Sequence, residues 1–265
     1  MARFRAAHAP RHVSRKGVEW SYYAGGSGEQ VILRLTGALG LAEFSFQQIL
    51  LFEQRFRVIA PDYPAVTSLA EMIDGLIGIL DAERVERAHV SGGSFGGLLA
   101  QVLARRAPER VASLVLSHTG APDGRRRRLA AAVVAAMPTS LLRKALKVRL
   151  GRTLDAADPF WRRYFDQAID QMTKVDIVSR IRLQAEFAEQ RSWGPGDLAG
   201  WPGRVLLLEG DDDPLFPAAA RERLRALYPM AQVHRFQGTG HAAAVLRPEE
   251  YAEVVTRFLR ERTSA

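Results

Sequence analysis

The 265-residue chain contains no cysteine, which excludes disulfides, thiolate metal sites and a cysteine nucleophile. It also lacks any long hydrophobic run. The longest apolar stretch, Leu129 to Met137, has nine residues, against the roughly 20 a helix needs to cross a bilayer. The first fifteen residues carry arginines but no apolar segment, so no secretory signal is expected. No Gly-Lys-Ser/Thr occurs, which excludes a P-loop. Neither an internal repeat nor a low-complexity tract is visible, and neither a metal nor a cofactor is expected. These absences leave a soluble globular protein, expected in the cytoplasm, whose length suits one large domain or one domain with an insertion.

Charge is present in excess of one sign: the net charge is +8. The excess is local. Residues 121–197 hold 15 Lys/Arg against 9 Asp/Glu, while the rest of the chain holds 22 against 20. Arg125–Arg128 and the group Arg143, Lys144, Lys147 and Arg149 lead it. Such runs are usually solvated helix faces. Without interleaved aromatics this one does not suggest nucleic-acid binding, and it leaves contact with an acidic surface as the partner class the charge admits.

Short apolar runs alternate with helix-period segments, which predicts an α/β fold with a mostly parallel sheet flanked by helices. Val18–Tyr23 and Val31–Leu35, separated by Gly25-Gly26-Ser27-Gly28, read as an opening hairpin. Glu43–Gln54 reads as a helix, Arg57–Ala60 as a strand, Val66–Asp81 as a helix and Ala88–Ser91 as a strand. Phe95, Leu98, Leu99, Val102 and Leu103 then mark one helix face, and Val111–Ser117 is a strongly apolar strand. No strand is readable from 121 to 197. Alternation resumes with Val205–Glu209, Pro217–Leu227, Gln232–Phe236 and Pro248–Arg260. The division this implies is a core of residues 1–120 and 198–265, interrupted by a helical cap over 121–197.

One short segment carries nucleophile chemistry. Ser94 lies in Gly92-Gly93-Ser94-Phe95-Gly96, which is Gly-x-Ser-x-Gly set between a strand and a periodic helix. A strand turning directly into a helix thrusts the intervening side chain out of the sheet edge. The backbones then nearly touch, and Gly92 and Gly96 supply the small residues this elbow requires. The helix opening at Phe95 aims free N–H groups and its positive end at the place where an oxyanion would form.

A serine hydroxyl needs a base. Of the six histidines, His8 and His12 fall in an N-terminal arm expected to be frayed. His89 opens the strand before the elbow, and His234 sits inside an alternating strand. His118 ends the next strand, at the edge where a pocket would lie. His241 follows Gly238-Thr239-Gly240 just past the last strand and precedes three alanines, a setting that lets a ring reach a neighbouring loop. An acid to orient that ring is offered by Gly210-Asp211-Asp212-Asp213-Pro214. Asp213 is favoured by its place on the far side of the turn, with Asp212 the alternative; a helix N-terminal acidic cluster before Pro217 would use the same residues.

With Ser94, Asp213 and His241 in that chain order, the elbow and the helical insertion after Ser117, the sequence resembles the α/β-hydrolase superfamily with a cap, from about Val18 to Leu259. Phe56-Arg57-Val58-Ile59-Ala60-Pro61-Asp62-Tyr63-Pro64 and the segment from Met137 to Leu142 resemble its maspardin-like branch, with all three triad candidates kept. The resemblance implies an oxyanion hole from the backbone N–H groups of Ala38 and Phe95. It departs from the family at Thr36, where most members carry histidine. The implied activity is a carboxylesterase-type serine hydrolase forming an acyl-enzyme on Ser94 with a small-molecule ester. Carbon–carbon bond hydrolysis or perhydrolysis by the same residues, and a non-catalytic binding role, are the competing readings. Thr36, His118, Met137, Trp161 and Tyr164 are the candidate pocket residues, with Phe160, Phe165 and Met172 as further apolar candidates.

Overall fold

A computed structural model describes residues 1–125, 127–154 and 157–261; Arg126 of the arginine run and the last four residues of the expected core lie outside the described residues. The chain opens with α1 (Ala2–Ala7), β1 (Arg11–Arg15), β2 (Val18–Gly25) and β3 (Val31–Leu35). Next come α2 (Phe46–Phe52), β4 (Arg57–Pro61), α3 (Leu69–Ala82), β5 (Ala88–Gly93), α4 (Phe95–Arg106) and β6 (Val111–Ser117). Four helices follow without a strand: α5 (Arg128–Ala136), α6 (Thr139–Gly151), α7 (Pro159–Gln171) and α8 (Lys174–Ala188). The last elements are β7 (Arg204–Gly210), α9 (Ala218–Leu227), β8 (Gln232–Phe236), α10 (Ala243–Leu246) and α11 (Pro248–Arg260).

The eight strands form one sheet in the order β1-β2-β4-β3-β5-β6-β7-β8. β1, β2 and β4 pair antiparallel, and every pair from β4 onward is parallel. The parallel strands are short apolar runs because helices cover both of their faces. On one face α3, α4 and α9 bury Leu76, Leu99 and Leu224 against Leu33, Leu114 and Leu207. On the other, α2 and α11 bury Phe52, Tyr251 and Phe258 against Ile32, Val115 and Leu206. α3 starts cleanly because Ser68 caps it, accepting from the Glu71 N–H at 3.2 Å.

The expected opening hairpin does not form. β4 lies between β2 and β3, because β3 is buried at all five positions and belongs in the sheet centre. The Gly25–Gly28 turn passes tightly over the Phe56 region instead, where a side chain on Gly26 or Gly28 would strike the Phe56 and Arg55 carbonyls. The true hairpin joins β1 and β2 through Lys16 (φ 51°) and Gly17 (φ 80°). Two consecutive positive φ angles are what a tight two-residue turn with the sheet's own twist demands. Nor is the N-terminal arm frayed. Phe4 is fully buried, and His8 stacks on it at 4.5 Å and bonds Glu53 Oε1 at 2.7 Å; His12 lies on β1. The Glu43–Gln54 segment splits into a 3₁₀ turn over Ala42–Ser45 and the shorter α2.

No single helix among the described residues is long and apolar enough to cross a membrane, and the α5–α6 pair reaches that length only across a 118° bend. α8 is fastened to the core. Buried Arg180 donates to the carbonyls of Tyr63 and Pro64, and Ser179 Oγ donates to the Val66 carbonyl at 2.6 Å.

Candidate active site

Ser94 occupies the step from β5 to α4 with φ 52° and ψ −117°. A non-glycine residue at positive φ is costly and persists only where its surroundings fix it. Here its N–H donates to the Ser117 carbonyl at 2.9 Å, and its carbonyl accepts from Thr119 Oγ1 at 2.8 Å. The flanking glycines are sterically required. A Cβ on Gly92 would collide with the Gly96 carbonyl, and one on Gly96 with the Leu35 carbonyl. Phe95 is the first residue of α4, so its N–H has no intrahelical acceptor. Neither that group nor the Ala38 N–H has a protein acceptor among the described residues.

Parallel strand order brings the ends of β5, β6, β7 and β8 to one edge. Beyond β7, Asp213 is buried, and its Oδ1 accepts from the N–H groups of Leu215 (2.8 Å) and Phe216 (3.1 Å). Its Oδ2 lies 2.8 Å from His241 Nδ1. An ionised carboxylate only accepts, so Nδ1 carries the proton and Nε2 is left free to take one. Burial pushes the Asp213 carboxyl up, but its hydrogen bond and charge interaction with His241 outweigh this and hold it below the usual range. Asp212 has a different partner: its Oδ1 accepts from the Gly240 N–H at 2.8 Å, fixing the loop that carries His241. Gly238 (φ 65°) and Gly240 (φ 52°) give that loop its bend, and the Gly240 carbonyl abuts Gly210 so closely that a side chain there would not fit.

The His241 ring is flanked by Phe216, stacked at 5.7 Å, and by His118, edge-on at 5.7 Å. His118 itself stands at φ 45°. Burial, then the neighbouring His241, pushes it down to about 3, so it is neutral. Its Nδ1 bonds Ser117 Oγ at 2.9 Å, while Nε2 is buried without a partner among the described residues. His89 bonds Ser113 Oγ at 2.8 Å, and His234 lies 3.8 Å from Glu250; neither lines the cavity at Ser94.

That cavity, of about 160 Å³, is walled by Ser94 and His241 together with Thr36, Ala38, His118, Leu39, Phe44, Leu154 and Phe165. Ser94 Oγ and the His241 ring face this space without a hydrogen bond between them, as is common before substrate tightens such a pair. A second cavity of about 90 Å³ shares Ser94, Ala38 and Leu39 with the first. Phe95, Leu98, Leu146, Met172, Ile181 and Phe216 also line it.

Three expected pocket residues stand elsewhere. Trp161 is buried between the inserted helices and the core, stacked on Phe46 at 5.4 Å. Tyr164 turns to Glu43, donating to its Oε2 at 2.7 Å. Met137 packs among the inserted helices and borders a separate surface groove with Leu141 and Arg152. All three occupy interfaces between helices, where an aromatic or thioether side chain buries more area than it would in an open pocket. Phe160, too, packs with Trp161 and Tyr164 and lines neither cavity. The sequence reading missed Arg34, Ser45, Gln48, Leu39 and Phe44, which all line the cavity. Arg34 alone left a signal, as the one charge in an apolar strand.

The family model for the alpha/beta hydrolase fold matches residues 31–248. The 2-hydroxymuconate semialdehyde hydrolase of Pseudomonas putida is 31% identical over 238 residues, covering 78% of each chain. Maspardin of Danio rerio is 27% identical over 252 residues, 91% of this chain and 78% of that one. Among solved structures, the enol-lactonase of Burkholderia xenovorans LB400 superposes with a TM-score of 0.81 at 18% identity, over 95% of this chain and all of that one.

Proposed function

Since this chain belongs to the α/β-hydrolase fold family, we propose that it is a serine hydrolase that cleaves carboxylic esters through an acyl-enzyme on Ser94. The observation that carries the reading is the 2.8 Å contact between His241 Nδ1 and Asp213 Oδ2 beside the cavity that Ser94 enters. It fixes the tautomer that leaves His241 Nε2 able to accept a proton. In the first half-reaction Ser94 Oγ attacks the ester carbonyl and His241 takes the hydroxyl proton. The oxyanion is held by the N–H groups of Phe95 and Ala38, each worth roughly 3–4 kcal/mol when well aimed. Collapse expels the alcohol, which receives the proton from His241. Water then attacks the acyl-enzyme by the same route, so that one ester and one water give one acid and one alcohol. Residues 121–197 act as the cap over this site, with Phe165 and Leu154 closing the cavity.

Covalent labelling by a fluorophosphonate tests the reading. The intact protein is expected to label, and Ser94→Ala to lose the label. Intact protein that stays unlabelled would favour a binding role instead. The 31% identity to a semialdehyde hydrolase favours one further reading, in which the same three side chains hydrolyse a carbon–carbon bond. Turnover of a β-diketone with none of any p-nitrophenyl ester would select it.

A further inference from the structure

The cavity at Ser94 has an inner end that ester hydrolysis as described does not use. β3 is apolar at four positions and carries Arg34 at the fifth, on the face of Ile32 and only 4% exposed. Arg34 Nε donates to Ser45 Oγ at 3.3 Å. Its Nη1 donates to Ser91 Oγ (3.1 Å), the Ser91 carbonyl (3.4 Å) and the Tyr251 hydroxyl (3.3 Å). Every one of these partners is neutral. All but one of the bonds are longer than the usual protein range, and all exceed the 2.7–2.9 Å typical of a charge-assisted pair. Nη2 makes no hydrogen bond among the described residues. It lies 3.7 Å from where a Cβ on Gly93 would stand, one residue before Ser94. Two residues on, just past the end of β3, Thr36 Oγ1 is buried and without a partner among the described residues, and Thr36 too lines the cavity.

A buried guanidinium with no carboxylate partner among the described residues is an expensive thing to keep in a fold. Simple packing would have been served by another aliphatic residue, as at the other four positions of β3. The other buried arginine near Ser94 is arranged differently, since both Nη groups of Arg180 are occupied by the Tyr63 and Pro64 carbonyls. The second cavity, where Arg180 and Arg149 stand at the wall, is otherwise mostly apolar.

We infer that Arg34 recognises a carboxylate on the substrate, so that the scissile ester lies between an acidic group docked at the inner end of the Ser94 cavity and an apolar group in the second cavity. The inference rests on the serine-hydrolase reading for the placement of the scissile bond, and it deepens that reading by naming the substrate class. The position of Nη2, 3.7 Å from where a Cβ on Gly93 would stand and so one residue from Ser94, sets a short spacer between carboxylate and carbonyl. The incoming anion converts long, neutral contacts into a charge-assisted pair, and the neighbouring hydroxyl of Thr36 is available to a second oxygen.

Two measurements separate this inference from the reading beneath it. The first compares p-nitrophenyl hemiglutarate with p-nitrophenyl valerate, which differ in the terminal carboxylate. Wild type is expected to prefer the acid by at least tenfold in kcat/KM. The acid-to-neutral ratio should fall at least tenfold in Arg34→Met and less in Arg34→Lys, which keeps the charge. The second needs no turnover: calorimetry on Ser94→Ala protein with monomethyl glutarate and dimethyl glutarate. The monoacid is expected to bind at least tenfold tighter, and the difference to vanish when Arg34→Met is added. Equal binding of the two, or an acid-to-neutral ratio unmoved in Arg34→Met, overturns the inference. Discrimination in binding without turnover of either ester overturns the hydrolase reading and leaves the anion site standing. If Arg34→Met does not fold, the wild-type and Ser94→Ala comparisons decide alone.

Discussion

Asp212 and Asp213 are chain neighbours with separate duties, and the separation is measurable. Asp213 bonds the ring of His241, and Asp212 bonds the backbone of its loop. An amide at 213 can keep the contact but offers its NH₂ or its carbonyl without a negative charge, so neither the tautomer nor the developing imidazolium is held as before. Asp213→Asn is therefore expected to lower kcat/KM by about 10⁴-fold. Asp212→Asn, which retains an acceptor for Gly240, should cost less than about tenfold, the scale of one neutral hydrogen bond. Comparable losses in the two variants would reassign the acid. Because the Asp213 carboxyl is held below its usual range, it stays ionised wherever a histidine titrates, and its stabilising contribution is lost only as pH falls through that lowered value. The Asp213 carboxylate therefore plays no part in the acidic limb of activity in wild type.

At the level of elements, an ionic relay ties α7 to the core. Arg5 of α1 donates through Nε and Nη2, both at 2.8 Å, to the two oxygens of Glu43, and Tyr164 of α7 donates to the same carboxylate at 2.7 Å. The hydrogen bonds from Arg5, then the one from Tyr164 and the Arg5 charge, keep Glu43 below the usual carboxyl range despite the opposing effect of burial. Tyr164→Phe removes one donor to a charged, half-buried acceptor and is expected to lower stability by roughly 1–2 kcal/mol. Amide exchange in α7 should rise while the central strands stay protected. Unchanged exchange in α7 would show that helix packing alone holds the cap. Nothing in the sequence pairs residues 5, 43 and 164, which explains why Tyr164 reads as a pocket residue there. A helix pattern shows that an aromatic is buried, but not which neighbour it is buried against. The elbow at Ser94 was legible because strand, glycines and helix are contiguous. Asp213 and His241, 28 residues apart, were legible because consecutive parallel strands end at one edge. β1 was not, since Arg11–Arg15 exposes most of its residues and carries only Val13 as an apolar signal. The β2–β3 misreading has the same origin: glycines that serve close backbone passage look in sequence like glycines that serve a turn.

Across the whole molecule, the sheet and its edge place two histidines where burial disfavours their charged form. Burial is the larger cause at both, pushing His89 down to about 4 with help from Arg87, and His118 down to about 3 with help from His241. The unfolded chain protonates both near 6.5. Between that value and about 4, the unfolded state therefore binds protons that the folded state refuses. Stability is complete above about pH 6.5 and is lost as pH falls through the window. For two such groups the loss between pH 7 and pH 5 amounts to about 4 kcal/mol. The carboxyls of Asp213 and Glu83, held low, begin to contribute only at more acidic pH. Asp62 works in the opposite direction, its carboxyl pushed up mainly by burial. Urea midpoints measured at pH 7 and pH 5 should show the drop. His89→Asn, which can keep a bond to Ser113 without a titrating ring, should remove about half of it. A midpoint that holds steady between the two pH values, or falls equally in His89→Asn, would mean that these rings gain protons within the folded protein. In that case His118 would reach His241 as a cation, and the free Nε2 proposed to take the Ser94 proton would face a charged neighbour.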